Sequence, residues 1–253
     1  MYYTPRKINH PWEGRIEPFR IAGNVYFVGR YQASTHLIDT GDGLILIDPG
    51  YMGSFYLVVH SIHTLGFRPQ DVKYVINTHW HSDHAEASEA LVDLSGAKTL
   101  IGRYDAENVS RYFAPDILIK DGDRLSLGNT AIDFLETPGH TKGTISLFFD
   151  VEEAGRTWRA GMFGGAGANT LLAGKFEYDD CRADYMASLD RLRREKVGLF
   201  LGNHVWNNDT EGKGKILRET GENRFLDEGI WETYLDFCRA RLERIVAREQ
   251  AQA

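Results

Sequence analysis

The segment Thr78-His79-Trp80-His81-Ser82-Asp83-His84 concentrates four candidate metal ligands within six positions. Histidine is scarce in this chain, and three of its nine fall here. An apolar run at 72–76 reads as a strand leading into the segment, and a helical pattern follows it. The cluster therefore sits on a turn at a strand's C-terminal end. In extended backbone alternate residues share a side, so His79 and His81 face the same way. Asp83 and His84 then turn the corner and aim a carboxylate and a third imidazole at a neighbouring point. Catalytic zinc takes three protein ligands and keeps a position for water. Four ligands this close are more than one ion needs, so the cluster reads as divided between two. Imidazole and carboxylate suit zinc, but they also accept iron or manganese. The plain alternative, exposed His and Asp in a polar loop, gives no reason for imidazoles to gather at a strand end.

Two further loops offer one histidine each. Glu136-Thr-Pro-Gly-His140-Thr-Lys-Gly143 is a tight Pro-Gly turn between two expected strands, with His140 at its apex. Gly139 permits a positive φ or close backbone approach, and Thr141 has a hydroxyl for local bonding. Leu201-Gly-Asn-His204 places a histidine just beyond another apolar strand. Alone, each is an ordinary loop histidine; beside a cluster short of ligands, both become candidates. Asp48 is either a partner to a ligand histidine or a turn-capping residue. Tyr51, Trp80, Trp206 and Asn208 are candidate pocket residues, or packing and loop structure. His10, His36, His60 and His63 read as ordinary, with His60 and His63 on a solvated helix face.

These loops need strands to present them. Short β-rich runs at 19–21, 25–28 and 35–39 precede an apolar run at 44–47, continuous as in a strand buried on both faces. Helices are expected at 53–65, 85–94, 106–112, 182–196 and 228–248. The remaining strands are expected at 72–76, 99–101, 124–127, 130–136, 144–149, 157–163 and 198–201. Periodicity gives an α/β chain organised as one domain, residues 1–253. Strands in two groups, each followed by helices, fit two sheets face to face with helices outside.

Bulk properties agree with a globular protein: hydrophobic residues make up 42% and charged residues 26%. The formal net charge is -7, and Lys and Arg are scattered. No basic stripe is available for nucleic acid, and no apolar stretch approaches the ~20 residues of a membrane span. The polar, Pro-interrupted run 1–7 does not read as an export signal. Cys181 and Cys238 are too few and too distant to read as a disulfide framework or metal knuckle. Cytoplasmic location follows if the chain is full length; periplasmic or secreted location follows if a leader has been removed.

The combined pattern, His79-x-His81-x-Asp83-His84, then Gly139-His140-Thr141 and a late His204, resembles the metallo-β-lactamase superfamily. The resemblance spans nearly the whole chain and includes Asp48-Pro-Gly50, where that family has Asp-x-Gly. It implies a four-layer αβ/βα sandwich, two Zn2+ ions and a metal-dependent hydrolase acting on a small-molecule substrate. One departure narrows it. Lactonase-like and glyoxalase-like members place a bridging Asp at the end of the strand matching 157–163. This chain has Gly161-Met-Phe-Gly-Gly-Ala-Gly-Ala-Asn169, with no acid and no Cys. The resemblance then implies two three-ligand sites: His79, His81 and His140 for one ion, Asp83, His84 and His204 for the other. This set is similar to the subclass that binds its second zinc through one Asp and two His. Members of that subclass often carry Ser where this chain has Gly164–Gly167, so drug contacts differ even where the ligands agree.

Two such ions about 3.5–4 Å apart would share a water and lower its pKa toward ~7, giving a hydroxide that attacks a polarised carbonyl. Asp83 and His140 are the residues read as catalytic, Asp83 by orienting that nucleophile. Three functions remain open at this level: a β-lactam hydrolase, a di-zinc hydrolase of another small ester, lactone, thioester or amide, and a catalytically silent metal- or partner-binding protein.

Overall fold

The structure, a computed structural model, describes residues 10–252. The N-terminal run on which the reading of no export signal rests lies outside them. Strands β1 (Phe19–Ala22), β2 (Val25–Phe27), β3 (His36–Asp39) and β4 (Leu44–Ile47) pair antiparallel, each with the next. Helix α1 (Phe55–Thr64) leads to β5 (Val72–Asn77), which lies parallel to β4. The turn α2 (Ser82–Ala85) and helix α3 (Ser88–Ser95) precede β6 (Lys98–Gly102), and the single turn α4 (Ala106–Val109) precedes β7 (Ile117–Ile119). These two strands extend the sheet in parallel to seven strands in sequence order.

A second sheet has the order β12-β11-β10-β9-β8. Its strands β8 (Arg124–Leu127), β9 (Thr130–Glu136), β10 (Ile145–Glu153) and β11 (Arg156–Met162) are antiparallel, and β12 (Leu199–Phe200) joins parallel to β11. Helices α5 (Cys181–Leu192), α6 (Thr210–Thr220) and α7 (Ile230–Gln250) complete the chain.

The twofold alternation of strand side chains sets the layers. From β4, Ile45 and Ile47 enter a core shared with Phe134, Leu147 and Phe149 of the second sheet. Leu44 and Leu46 point the other way, against Val58 and Ile62 of α1 and Leu91 of α3. On the far side, Phe148 and Phe200 pack on Tyr185 and Leu189 of α5 and Trp231 of α7. Each fully buried side chain of this kind contributes about 1.5–3 kcal/mol. The result is helix, sheet, sheet, helix, the α/β sandwich expected from the strand grouping.

Four elements depart from expectation, the first being strand β7, which no expected strand covers. The helix expected at 85–94 is split into α2 and α3, because Gly50 enters the gap: its N–H donates to the His84 carbonyl and its carbonyl accepts from Ala87 N–H. The helix expected at 106–112 shrinks to α4. Helix α6 lies where no helix is expected, and it forms although Gly212 and Gly214 each cost a helix about 1 kcal/mol. Gly214 is required there, as a Cβ would stand 2.4 Å from the Phe19 ring.

Candidate functional site

Backbone bonds bring three strand ends to one edge of the sandwich. Asp48 N–H, just after β4, donates to Ile76 O in β5, and Ile145 N–H of β10 donates to Thr78 O. Ala33 and His204 form an isolated bridge, which ties the segment after β12 to the loop before β3. The turns carrying 78–84, 139–143 and 201–208 therefore share one rim.

All six candidate ligands meet there. His79, His81 and His140 form one group, and Asp83, His84 and His204 a second. Within each group the three ligand atoms lie within 4.8 Å of one another. His81 Nδ1 is 2.9 Å from His140 Nε2, and His84 Nε2 is 3.3 Å from His204 Nε2. Asp83 Oδ2 stands 3.7 Å from the Nε2 atoms of both His84 and His204.

For four of the five rings, the outward partners fix which nitrogen keeps its lone pair. Carboxylates and carbonyls only accept, so the ring nitrogen facing one must donate. His84 Nδ1 donates to Asp48 Oδ2 at 2.8 Å, His81 Nε2 to Glu177 Oε1 at 2.5 Å, and His140 Nδ1 to Gly167 O at 3.0 Å. Thr78 Oγ1 gives its proton to Asp48 at 2.7 Å, which leaves its oxygen to accept from His79 Nδ1 at 3.1 Å. The inward atoms, His79 Nε2, His81 Nδ1, His140 Nε2 and His84 Nε2, are then all lone pairs. His79 Nε2 is buried with no hydrogen-bond partner. A buried polar atom of this kind needs a match, and crowded lone pairs beside a carboxylate are matched by divalent cations. The residues fit two such ions.

Electrostatics point the same way. Burial, together with the neighbouring imidazoles, pushes His79 and His140 well below the usual histidine range. Burial and the nearby His84 push His204 down to about 4. These rings stay neutral and able to bind metal. Burial opposes charge on His84, but Asp83 and Asp48 outweigh it and raise that ring. Burial likewise opposes ionisation of Asp83, and the surrounding imidazoles outweigh it and lower the carboxyl.

Asp48 is the partner of a ligand histidine, the first of its two expected roles. It also accepts Thr78 N–H at 2.8 Å. Tyr51, Trp80 and Trp206 line a cleft of ≈ 560 Å³ over the six ligands, along with Gln32, Tyr112 and Asn169. Asn208 is elsewhere: it is buried and donates to Phe200 O, holding its own loop.

Sequence reasoning missed two supports, and the full role of a third. Asp105 accepts Trp80 N–H, Thr141 Oγ1 and Gly143 N–H at 3.1, 2.7 and 2.8 Å, joining two ligand loops. Burial pushes its carboxyl up to about 6 despite those bonds. Glu177 was also missed. The Gly164–Gly167 loop, expected to alter substrate contacts, also packs on a ligand: a Cβ at Gly165 would lie 2.8 Å from His140 Cβ, and one at Gly167 2.9 Å from His140 Cε1. The lone signal in the sequence was the glycine density itself.

The family model described as the metallo-beta-lactamase superfamily matches residues 28–154. The fold superposes on a subclass B3 metallo-beta-lactamase of Bradyrhizobium japonicum with a TM-score of 0.89, at 26% identity, covering 95% of this chain and 97% of that one. A hydroxyacylglutathione hydrolase of Methylococcus capsulatus is 29% identical over 147 residues, 58% of this chain and 51% of that protein. An N-acyl homoserine lactonase of a Bacillus species is 26% identical over 149 residues, 47% of this chain and 59% of that protein. The chain spans less than two thirds of the length of these curated relatives.

Proposed function

The chain belongs to the metallo-beta-lactamase superfamily, and we propose that it is a metal-dependent hydrolase, a di-zinc enzyme opening the amide of a β-lactam ring. Its residues 1–253 act as one domain, since both ligand groups draw on loops from both sheets. His79, His81 and His140 would hold the first zinc, and Asp83, His84 and His204 the second. When bound, the ions supply Lewis acidity at the carbonyl and an acidified water near neutral pH.

The side chains do the rest. Asp83, kept ionised by the imidazoles around it, accepts a hydrogen bond from the attacking water and aims its lone pair. His140 is fixed through Gly167 O and through Thr170 Oγ1, which donates to the His140 carbonyl at 2.8 Å. Asn169 lines the cleft, and its side-chain amide can donate to the carbonyl oxygen as charge develops there. Trp80 and Trp206 wall the cleft, exclude water and hold the flat part of a bicyclic substrate. Trp206 itself stacks on His204, with ring centroids 4.3 Å apart.

The observation that carries this reading is that both three-ligand groups are complete with no acidic residue at the end of β11 to bridge them. The likeness to a B3 enzyme over 95% of the chain supports it. A second reading, hydrolysis of a small ester, lactone or thioester, is favoured by the glycine loop, where His140 leaves no room for a substrate-binding serine at 165 or 167. Nitrocefin hydrolysis by zinc-loaded protein separates them. Turnover should vanish after EDTA treatment and in His140→Ala. Two bound zinc ions with no nitrocefin turnover, but cleavage of a lactone or thioester panel, would move the assignment to the second reading.

A further inference from the structure

Each ligand group contains one histidine whose outward nitrogen is held by a carboxylate. For His84 that carboxylate is Asp48, next to the ligand loop in the same sheet. For His81 it is Glu177, which lies 96 positions away in the segment before α5. Glu177 does two things at once. Its Oε1 accepts from His81 Nε2 at 2.5 Å, and its Oε2 accepts from Trp80 Nε1 at 3.1 Å. The carrying segment is itself anchored: Ala173 N–H donates to Glu249 Oε1 at 2.9 Å, and Arg182 bonds the same carboxylate. Glu177 is therefore presented from a fixed base, with both of its oxygens on the ligand loop.

We propose that Glu177 is a positioning residue for the first metal position, orienting His81 and the Trp80 wall together from outside the ligand loops. This rests on the two-metal reading above. A carboxylate on the outer nitrogen fixes the tautomer that leaves Nδ1 free for the ion, and it raises the basicity of that nitrogen. Removing such a partner typically costs about 10–100-fold in metal affinity. The cost should fall on one ion only, because Glu177 makes no bond to Asp83, His84 or His204.

The test is a Zn2+ titration in competition with a chromophoric chelator. It compares wild type with Glu177→Gln, using His79→Ala and His204→Ala to assign the two affinities. The affinity that His79→Ala abolishes should weaken by about 10–100-fold in Glu177→Gln, while the one that His204→Ala abolishes stays put. The exchange-protected His81 Nε2–H proton resonance should disappear as well. Equal weakening of both affinities marks a merely structural residue and overturns the proposal, as does no weakening of either. Wild-type protein that fails to bind two zinc ions overturns the two-metal reading instead. If Glu177→Gln does not fold, Glu177→Asp keeps the charge on a shorter arm and should weaken the first affinity by less, and again alone.

Discussion

The two ligand groups solve the same problem with opposite materials. In the second, the His84–Asp48 pair is sealed, with side chains 1% and 0% exposed. In the first, the His81–Glu177 pair sits at the rim, with side chains 18% and 23% exposed. Asp48 is also part of the fold, since the two Thr78 donors and His84 all depend on it. Glu177 serves only the ligand loop. A buried carboxylate makes metal binding and folding inseparable, whereas one at the rim adjusts a single ligand. The second position is therefore built into the sandwich, and the first is trimmed from outside it.

Asp48→Ala should give the largest effect. It leaves three donors without an acceptor in the interior, and breaking a buried ionic pair costs about 3–5 kcal/mol. A urea melt should show that loss along with loss of one zinc. If Asp48→Ala proved as mild as Glu177→Gln, the contrast between the two positions would collapse. Gly167→Ala comes next. Its Cβ would press on His140 Cε1 at 2.9 Å and Asn169 Oδ1 at 2.8 Å, an overpacking worth about 1–3 kcal/mol. Turnover and the first zinc should suffer, while the second zinc should remain; equilibrium dialysis with metal analysis reads this directly.

The smallest effect concerns acid. In EDTA-treated protein, burial holds His79 and His140 below the unfolded histidine value near 6.5. Below that pH the unfolded chain takes up protons that the folded chain refuses, so stability falls as pH drops. His84, raised by Asp83 and Asp48, has the opposite sign: its contribution is present below about 6.5 and is lost as pH rises through its folded value. Three lowered rings, His204 being the third, against one raised ring leave net acid sensitivity. His36, outside both groups, is held by burial to about 3. His36→Leu should flatten the slope between about pH 6.5 and 4 by at most about 1.4 kcal/mol per pH unit. Denaturation midpoints across that range check it, and an unchanged slope would mean that His36 is protonated in the folded chain.

Much of the site was legible because its ligands are local. Four of the six fall in 79–84, where backbone geometry alone points the side chains. His140 and His204 were legible as histidines at strand ends, which is where parallel and antiparallel strands deliver their loops to a rim. Asp48 stayed ambiguous, since a turn-capping Asp and a buried acceptor have the same local sequence. Asp105 and Glu177 left no signal. Each acts on residues distant in sequence, Glu177 at a separation of 96, and no spacing rule relates such positions. Helix α6 was hidden by Gly212 and Gly214, whose need for space against Asp209 and Phe19 only packing reveals.

By itself, the sequence determined the chemistry on offer: imidazoles and one carboxylate at strand ends, and apolar patterns that demand two sheets with helices outside. Only the tertiary structure decided the tautomers of His79, His81, His84 and His140, through the hydroxyl, carboxylate or carbonyl that it sets behind each. Ligand type and strand period are local properties of the chain. In those four rings, lone-pair direction is set by whatever acceptor the folded chain brings to the far side.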